Sequence, residues 1–312
     1  MIDKKTLTRG RTIVPLKVLI LGSEGVGKTT FVAGAPKVRI LDLDRGSFEQ
    51  DVERAHADTF EEVLEWIEDA RTDASVQTFA IDSLSRLEAL VAVKVCGAAD
   101  TGGLAAFGGG YGKGDDAALQ YWRQLLAALD RLAVTKHVVL VGHTAIKAFN
   151  DPMGLAYDRF SLGLREKAAG PIKQWVNYTL FARAEVSTRV HERSKKSLGV
   201  TTGERFLYTD NNPAYDAKHR GNLPSQIPLS WDAFYDAVVA DRSSCADKIA
   251  TIGLLLARVH DASTVTKVRA ATKAAEGSSV QLAAIIARLN SLLTTNDITN
   301  DTTNNSTKEA TS

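Results

Sequence analysis

The residues with the most recognisable chemistry are Gly22-Ser23-Glu24-Gly25-Val26-Gly27-Lys28-Thr29, which have the spacing G-x-x-x-x-G-K-T. They follow an apolar run that predicts a strand, and Thr30 begins a predicted helix. Glycines let such a loop wrap closely enough for its backbone N–H groups to cradle phosphates. Lys28 is placed to reach the β- and γ-phosphates, and the hydroxyl of Thr29 to hold Mg²⁺. Since a chance glycine-rich turn would not require this full spacing, the pattern predicts that Gly22–Thr30 bind ATP with Mg²⁺.

Polar side chains stand where three further predicted strands end. Asp82 ends an apolar run and is the expected carboxylate that reaches Mg²⁺ through its water shell. Asp44 follows another such run and is a candidate to orient the attacking water, although a capping or turn aspartate explains it equally well. His143 ends a third run and is our candidate to sense the γ-phosphate, with Thr144 as the second choice. A structural histidine is the alternative there.

The order of these patterns predicts the fold and the domain boundaries. Strand patterns alternate with helical ones over residues 15–240, which indicates an α/β core with a central, mostly parallel sheet flanked by helices. Residues 1–14 are a polar lead-in. Residues 243–293 have helical periodicity and predict a small C-terminal helical module. The Thr- and Asn-rich residues 294–312 carry no apolar pattern, and we expect them to be disordered.

Composition narrows the class of protein. A net charge of +1 does not indicate general nucleic-acid binding, so any such surface must be local. The two cysteines, Cys96 and Cys245, lack metal-type spacing and suit a reducing compartment. No apolar run reaches the length of a membrane span, and the residues after Met1 are not those of a signal peptide. We therefore expect a cytoplasmic protein with no membrane partner.

Two segments have the composition of single-strand nucleic-acid contacts. The first is the glycine-rich stretch 97–114, in which Tyr111 could stack on a base and Lys113 could meet a phosphate; a plain flexible linker is the alternative. The second is a predicted loop over 145–173, in which basic and aromatic residues alternate; a solvated connector is the alternative. Its candidate DNA-binding residues are Lys147, Phe149, Arg159, Phe160, Arg165 and Lys167.

A pair of cations near residue 220 predicts contact with a neighbouring subunit. Lys218 and Arg220 are two positions apart on an extended segment, so their side chains point to the same side. In a ring or filament that side can face a neighbour's ATP, and the two residues can act as fingers in trans. An exposed basic turn is the alternative.

With these residues identified, the chain resembles the phage-type P-loop ATPases of the RecA-like group, particularly the short single-strand annealing proteins of phage recombination systems. The resemblance covers about residues 15–235 and implies a RecA-like fold. The matching features are Gly22–Thr29, Phe79–Asp82, Gly110–Gly114, Val141–Thr144, Tyr157–Arg165, Trp175–Arg183 and Ala217–Arg220.

The resemblance also implies a function. It implies an ATP-dependent homo-oligomer, a ring or a filament, whose two central loops face single-stranded DNA in the cytoplasm of a bacterial host, and it makes a single-strand-binding protein a candidate partner. Asp44 falls where such ATPases place an activating acid that is usually a glutamate, and the shorter carboxylate implies slow hydrolysis. Lys218 and Arg220 match their trans-acting fingers.

Three functions remain open on the sequence. The first is an ATP-dependent, single-strand DNA-binding recombination protein that promotes annealing or strand exchange, with Lys28, Asp44, Asp82, His143, Lys218 and Arg220 as its catalytic set. The second is a small-molecule or nucleotide kinase, which would need an arginine-bearing lid and an acceptor pocket. The third is a non-hydrolysing module in which bound ATP only gates DNA binding.

Overall fold

The computed structural model describes residues 14–97, 102–190, 197–242, 245–259, 261–275 and 281–293. The described chain divides into two compact units, one ending at Tyr235 and the other starting at Asp236. The expected disorder of residues 294–312 and nearly all of the expected lead-in lie outside the described residues.

The first unit is built on one large sheet. Its described strands are β1 (Lys17–Gly22), β2 (Val38–Asp42), β3 (Glu53–Ala55), β4 (Thr78–Asp82), β5 (His137–Phe149), β6 (Tyr157–Leu162), β7 (Tyr178–Val190), β8 (Ser197–Tyr208) and β9 (Gln226–Pro228). They lie in the order β3-β2-β4-β5-β1-β7-β8-β9, with β6 paired to β5. Strands β3, β2, β4, β5, β1 and β7 run parallel, while β6, β8 and β9 pair antiparallel.

Helices cover both faces of this sheet. The described helices are α1 (Lys28–Ala33), α2 (Phe60–Thr72), α3 (Leu84–Cys96), α4 (Gly103–Ala106), α5 (Lys113–Leu132), α6 (Glu166–Trp175), α7 (Trp231–Arg242), α8 (Cys245–Leu256) and α9 (Ala262–Ala274), with a further helix over 281–293. Helices α2, α3, α5 and α6 share a buried cluster with the strands, in which Trp122 is only 1% exposed. On the other face, Phe31 of α1 packs against Trp231 and Phe234. The predicted α/β class, a mostly parallel sheet flanked by helices, is confirmed.

Local sequence explains why the elements form where they do. The central strands are buried on both faces, so the interiors of β1 and β4 are continuously apolar, and β2 departs from this pattern at the buried Arg39. Helix α2 begins after Thr59, whose hydroxyl accepts a hydrogen bond from the backbone N–H of Glu62 at 3.2 Å. Its buried residues Phe60, Val63 and Ile67 recur at helical spacing and face the core.

The segment 145–173 is not the loop that its composition predicts. Strand β5 continues to Phe149, turns, and returns as β6, and α6 follows. Side-chain exposure alternates from Ala145 to Ala148, which is the pattern of a strand with two different faces. The antiparallel pairing with β6 satisfies its backbone, and we call residues 144–162 the β5–β6 hairpin.

The glycine-rich stretch is also more regular than expected. Within its described part, 102–114, the chain forms α4 and a single 3₁₀ turn, and α5 already begins at Lys113. Gly108, Gly109, Gly110 and Gly112 adopt positive φ angles in the turns between these helices. The glycines therefore form a tight turn between two helices. Such a turn requires positive φ angles, whereas a flexible linker does not.

The second unit has its own small core. Helices α8 and α9 and the helix over 281–293 bury Ile252, Leu256, Leu282 and Leu289 against one another. Asp261 caps α9 by accepting a hydrogen bond from the backbone N–H of Thr264 at 2.7 Å. None of the helices in the described ranges is long and apolar enough to cross a membrane.

Gly114 provides a test of the packing between α4 and α5. A Cβ atom at this position would lie 2.1 Å from the backbone carbonyl oxygen of Leu104, which cannot rotate away. We expect Gly114→Ala to lower the free energy of unfolding by about 1–3 kcal/mol. Gly46→Ala is the matched control, since no atom lies within 4 Å of its Cβ position. Denaturant unfolding measures both, and equal stability of the two variants would contradict this packing.

Candidate nucleotide-binding site

The glycine loop connects β1 to α1 at the carboxyl edge of the sheet. Strand β1 ends at Gly22, and α1 begins at Lys28. Gly25 and Gly27 have φ angles of 71° and 106°, a backbone conformation that side chains disfavour. Nothing lies within 4 Å of the Cβ position of Gly25, so the loop is open on that side. This is a cradle with room for phosphate oxygens next to backbone N–H groups.

The side chain of Lys28 is held in place by backbone carbonyls of the glycine loop. Its side-chain ammonium donates to the backbone carbonyls of Gly22 at 3.0 Å and Ser23 at 2.8 Å, and the residue is only 6% exposed. Burial lowers the pKa of Lys28, against the opposing attraction of Asp82 and Glu24. A bound polyphosphate would supply negative charge next to this buried ammonium and so compensate the cost of its burial.

Asp82 lies on the far side of the same cradle. Its Oδ2 accepts a hydrogen bond from the hydroxyl of Thr29 at 2.7 Å, and the residue is 8% exposed. Burial raises the pKa of Asp82, and the nearby charges of Asp44 and Asp42 add to this effect. A cation at this position would favour the ionised carboxylate.

These residues fit a magnesium ion bound together with a nucleotide. The described residues contain no cluster of three or more His, Cys, Asp or Glu side chains that could hold a metal alone. Mg²⁺ in nucleotide sites is typically held by one or two protein oxygens, water and phosphate. Thr29 and Asp82 would supply those protein oxygens.

Asp44 and His143 form the next part of the site. The Nε2 atom of His143 lies 3.8 Å from Oδ2 of Asp44, which is an ion-pair distance when the histidine is protonated. His143, and to a smaller extent Ser83 and the charge of Arg86, lower the pKa of Asp44. Asp44 is therefore ionised at neutral pH and can accept a hydrogen bond from water.

The sheet order explains why distant residues meet here. Strands β2, β4, β5 and β1 are neighbours in that order, so the carboxyl ends of β2, β4 and β1 lie at the same edge as His143 in the middle of β5. Asp42 supports the arrangement: its carboxylate accepts hydrogen bonds from the backbone N–H groups of Gly46 and Ser47 and from the hydroxyl of Ser47. The turn that carries Asp44 is fixed in this way. Thr144 follows His143 in β5 and pairs with Leu162, within the β5–β6 hairpin.

Lys218 does not stand free as the predicted finger requires. Its ammonium donates to the backbone carbonyls of Lys173 at 2.9 Å and Val176 at 2.8 Å, at the end of α6. Its backbone also pairs with Thr179 of β7. In this conformation Lys218 caps a helix of its own subunit. Arg220 is exposed and makes no hydrogen bond or ion pair with the described residues, so its predicted role in trans stays open.

Tyr111 and Lys113, the predicted DNA contacts of the glycine-rich turn, differ in their surroundings. Tyr111 is 100% exposed and has a φ angle of 53°, which is rare for a residue with a side chain. Lys113 folds back, and its ammonium donates to the backbone carbonyl of Gly108 at 2.9 Å. Tyr111 is thus presented to solvent by a strained turn, while Lys113 stabilises that turn.

The cations predicted to contact DNA in 145–173 are paired within the chain. Lys147 pairs with Glu166, Arg159 with Asp216, Arg165 with Asp115 and Lys167 with Asp116. The sequence did not predict these ion pairs, because their acidic partners lie up to tens of residues away. In this conformation the four cations are bound to carboxylates and so are not available to bind the phosphates of DNA.

The two phenylalanines predicted to contact DNA, Phe149 and Phe160, also differ in their surroundings. Phe149 is 40% exposed near the tip of the β5–β6 hairpin, with the guanidinium of Arg159 5.9 Å from its centroid. Phe160 packs against Phe181, with ring centroids 5.6 Å apart. Phe149 is therefore accessible to a base, whereas Phe160 belongs to the aromatic packing against β7.

Asp82 provides a test of the site's charge. Because burial raises its pKa, the ionised carboxylate destabilises the fold above that raised pKa, and Asn removes this penalty while it can still accept the hydrogen bond from Thr29. We expect Asp82→Asn to raise the free energy of unfolding at pH 7 by about 1 kcal/mol. The gain should shrink as the pH falls through the raised pKa toward the ordinary value of 3.8.

The measurement is chemical unfolding between pH 7 and pH 4, without and with Mg²⁺ and ATP. The Asp82→Asn protein should lose the Mg²⁺-dependent part of the stabilisation by ATP. Asp44→Asn is the control of opposite sign, since the lowered pKa of Asp44 shows that its charge is favourable in the fold. A loss of stability in Asp82→Asn at pH 7 would contradict this view of the site.

A comparison with known families supports the same conclusion as the geometry. Residues 14–221 match the family model AAA_24, described as an AAA domain. No curated protein matches the chain. The match covers more than half of the 312 residues and includes the glycine loop, Asp44, Asp82 and His143. The chain therefore belongs to the AAA domain family of P-loop ATPases.

Proposed function

We propose that the protein is an ATP-dependent, single-stranded-DNA-binding recombination protein that promotes annealing or strand exchange. The observation that carries the proposal is the continuity of β5. The middle of this strand places His143 beside Asp44, and the same strand then runs into the β5–β6 hairpin with Lys147 and Phe149. A change at the γ-phosphate can therefore reach the hairpin through a single rigid element.

Several features of the hairpin support contact with a single strand. Ile146, Phe149, Met153 and Leu155 are all exposed on it. Exposed apolar and aromatic side chains suit unstacked bases, because every base offers a flat face to stack on. Tyr111 offers a second ring on its strained turn, and backbone strain of this kind is often kept for function.

The ion pairs around the hairpin support control of DNA binding by nucleotide and assembly. Arg165 and Lys167 hold the residues after β6 to Asp115 and Asp116 at the start of α5, next to the turn of Tyr111. Exposed pairs of this kind contribute about 0–1 kcal/mol each, so a phosphate backbone can replace their carboxylates at low cost. We infer that the two predicted DNA contacts open together when these pairs exchange partners.

The roles of the site residues follow from their positions. Bound MgATP supplies the phosphoanhydride that is hydrolysed, and Lys28, Thr29 and Asp82 bind it. Asp44 orients the attacking water and accepts a hydrogen bond from it. His143, close to Asp44, holds this carboxylate in place and transmits its position to β5. Because Asp44 is one methylene shorter than a glutamate, we expect slow turnover without DNA.

We further propose that the active form is a homo-oligomer, a ring or a filament. The exposed guanidinium of Arg220 has no partner among the described residues and suits the phosphates of a neighbouring subunit's ATP. Hydrolysis then depends on assembly on DNA. A single-strand-binding protein is the proposed partner that would deliver the strand.

ATP hydrolysis with and without DNA tests the proposed function. We expect single-stranded DNA to stimulate turnover strongly and duplex DNA not to do so, with Lys28→Ala as the inactive blank. Tyr111→Ala should lower the affinity for single-stranded DNA on the order of tenfold or more, since a stacked ring contributes about 1–3 kcal/mol per base. Tyr111→Phe, the matched control, keeps the ring and should bind as the unchanged protein does.

Each other outcome of that assay indicates a different function. Bound ATP with no turnover, with or without DNA, would favour a non-hydrolysing module that gates DNA binding. Transfer of the γ-phosphate to a small molecule or nucleotide would establish a kinase. A rate of ATP hydrolysis that is the same with and without single-stranded DNA would contradict the coupling through β5.

The role of Arg220 is tested by mixing subunits. We expect Arg220→Ala to lower turnover about a thousandfold, as loss of an arginine finger does, and to leave nucleotide binding by the monomer intact. A mixture of Arg220→Ala and Lys28→Ala subunits should regain activity, because each variant supplies what the other lacks. Lys218→Ala is the contrasting variant: it should mainly destabilise the end of α6. An inactive mixture would contradict a role in trans.

A further inference from the structure

One arginine that belongs to no recognisable motif lies directly over the glycine loop. A Cβ atom on Gly27 would lie 3.0 Å from Nη1 of Arg205 and 3.2 Å from Cδ2 of Leu229. Arg205 is on β8, and Leu229 follows β9 directly. The backbone N–H of Leu229 donates to the carbonyl of Arg205 at 3.0 Å, so the two are cross-strand neighbours. A planar cation and an apolar side chain thus stand side by side against Gly27.

The guanidinium of Arg205 is available to a ligand. Its side chain is exposed, and the guanidinium makes no ion pair or hydrogen bond with the side chains that the structure describes. Other arginines of this unit do have carboxylate partners: Arg39 contacts Glu53, Asp69 and Asp73, Arg159 contacts Asp216, and Arg165 contacts Asp115. A cation without a carboxylate partner beside a phosphate loop suggests a contact made only when the loop is filled.

The sheet order indicates which end of a nucleotide meets Arg205. Asp82 ends β4, Asp44 follows β2 and His143 lies in β5, and these three strands all lie on one side of β1. Arg205 lies on β8, on the other side of β1, beyond β7. A nucleotide with its terminal phosphates at Lys28 and Asp82 has its nucleoside on the side of β8.

We propose that Arg205 and Leu229 form the nucleobase-binding wall of this site, with the guanidinium stacked on the base and Leu229 against its edge. The inference rests on the proposed nucleotide binding. A guanidinium plane stacks on aromatic rings, and a leucine side chain excludes water from the base without reading its hydrogen-bonding edge. The wall therefore binds the base by its flat face.

The test compares ATP with inorganic tripolyphosphate, which has the phosphates and no base. By calorimetry with Mg²⁺, we expect Arg205→Ala to weaken ATP binding about tenfold and to leave tripolyphosphate binding unchanged. Arg205→Lys keeps the charge and loses the plane, so it should weaken ATP binding to a similar degree. Lys28→Ala should weaken both ligands.

Arg183→Ala is the matched control. Arg183 lies on the adjacent strand β7, opposite Phe206, and its register places it on the other face of the sheet from Arg205. It should change neither affinity. Equal weakening of both ligands by Arg205→Ala, or full affinity in Arg205→Lys, would overturn the stacking in favour of a phosphate contact, and no change in Arg205→Ala would overturn the wall altogether. If the unchanged protein binds neither ligand, the proposed nucleotide binding itself fails, and the wall with it.

Discussion

The hydrogen bond from Thr29 to Asp82 joins the start of α1 to the end of β4, a strand that is not a neighbour of β1. Thr29 follows β1 and Asp82 ends β4, and β5 lies between these strands in the sheet. The bond depends on the parallel register of β1, β5 and β4, which brings the ends of β1 and β4 opposite His143 and Val141 of β5. The same register brings His143 of β5 to the site. The position of the whole site therefore depends on the alignment of three neighbouring strands.

Charge is unevenly distributed around that bond, and this explains why the site is suited to a ligand. Burial disfavours the ionised forms of both Asp82 and Lys28, as the raised and lowered pKa values show. A magnesium ion would compensate Asp82 and a polyphosphate would compensate Lys28. The fold thus buries two ionisable groups whose charged forms a polyphosphate bound with Mg²⁺ would stabilise. Perturbed pKa values of this kind are common at functional sites.

The sequence predicts the parts of this protein that depend on local pattern. The glycine loop, the apolar strands and the aspartates that end them follow from short stretches, because the loop needs its glycines and the buried strands need continuous apolar runs. The partners of Lys218 and Arg159, and the position of Arg205 beside Gly27, could not be predicted, since the residues brought together lie on elements far apart in sequence. Composition alone predicted a loop where antiparallel pairing makes the β5–β6 hairpin.

The two cations of the Lys-x-Arg segment show how the fold separates residues with similar chemistry. Pairing of Lys218 with Thr179 fixes its backbone to β7, and its ammonium then finds the carbonyls at the end of α6. Arg220 lies two residues on, beyond this pairing, and is left exposed. The two hydrogen bonds to carbonyls fix the position of the ammonium, so Lys218 could reach a neighbour in the proposed homo-oligomer only after these bonds break. Arg220 needs no such rearrangement to take part in the proposed homo-oligomer.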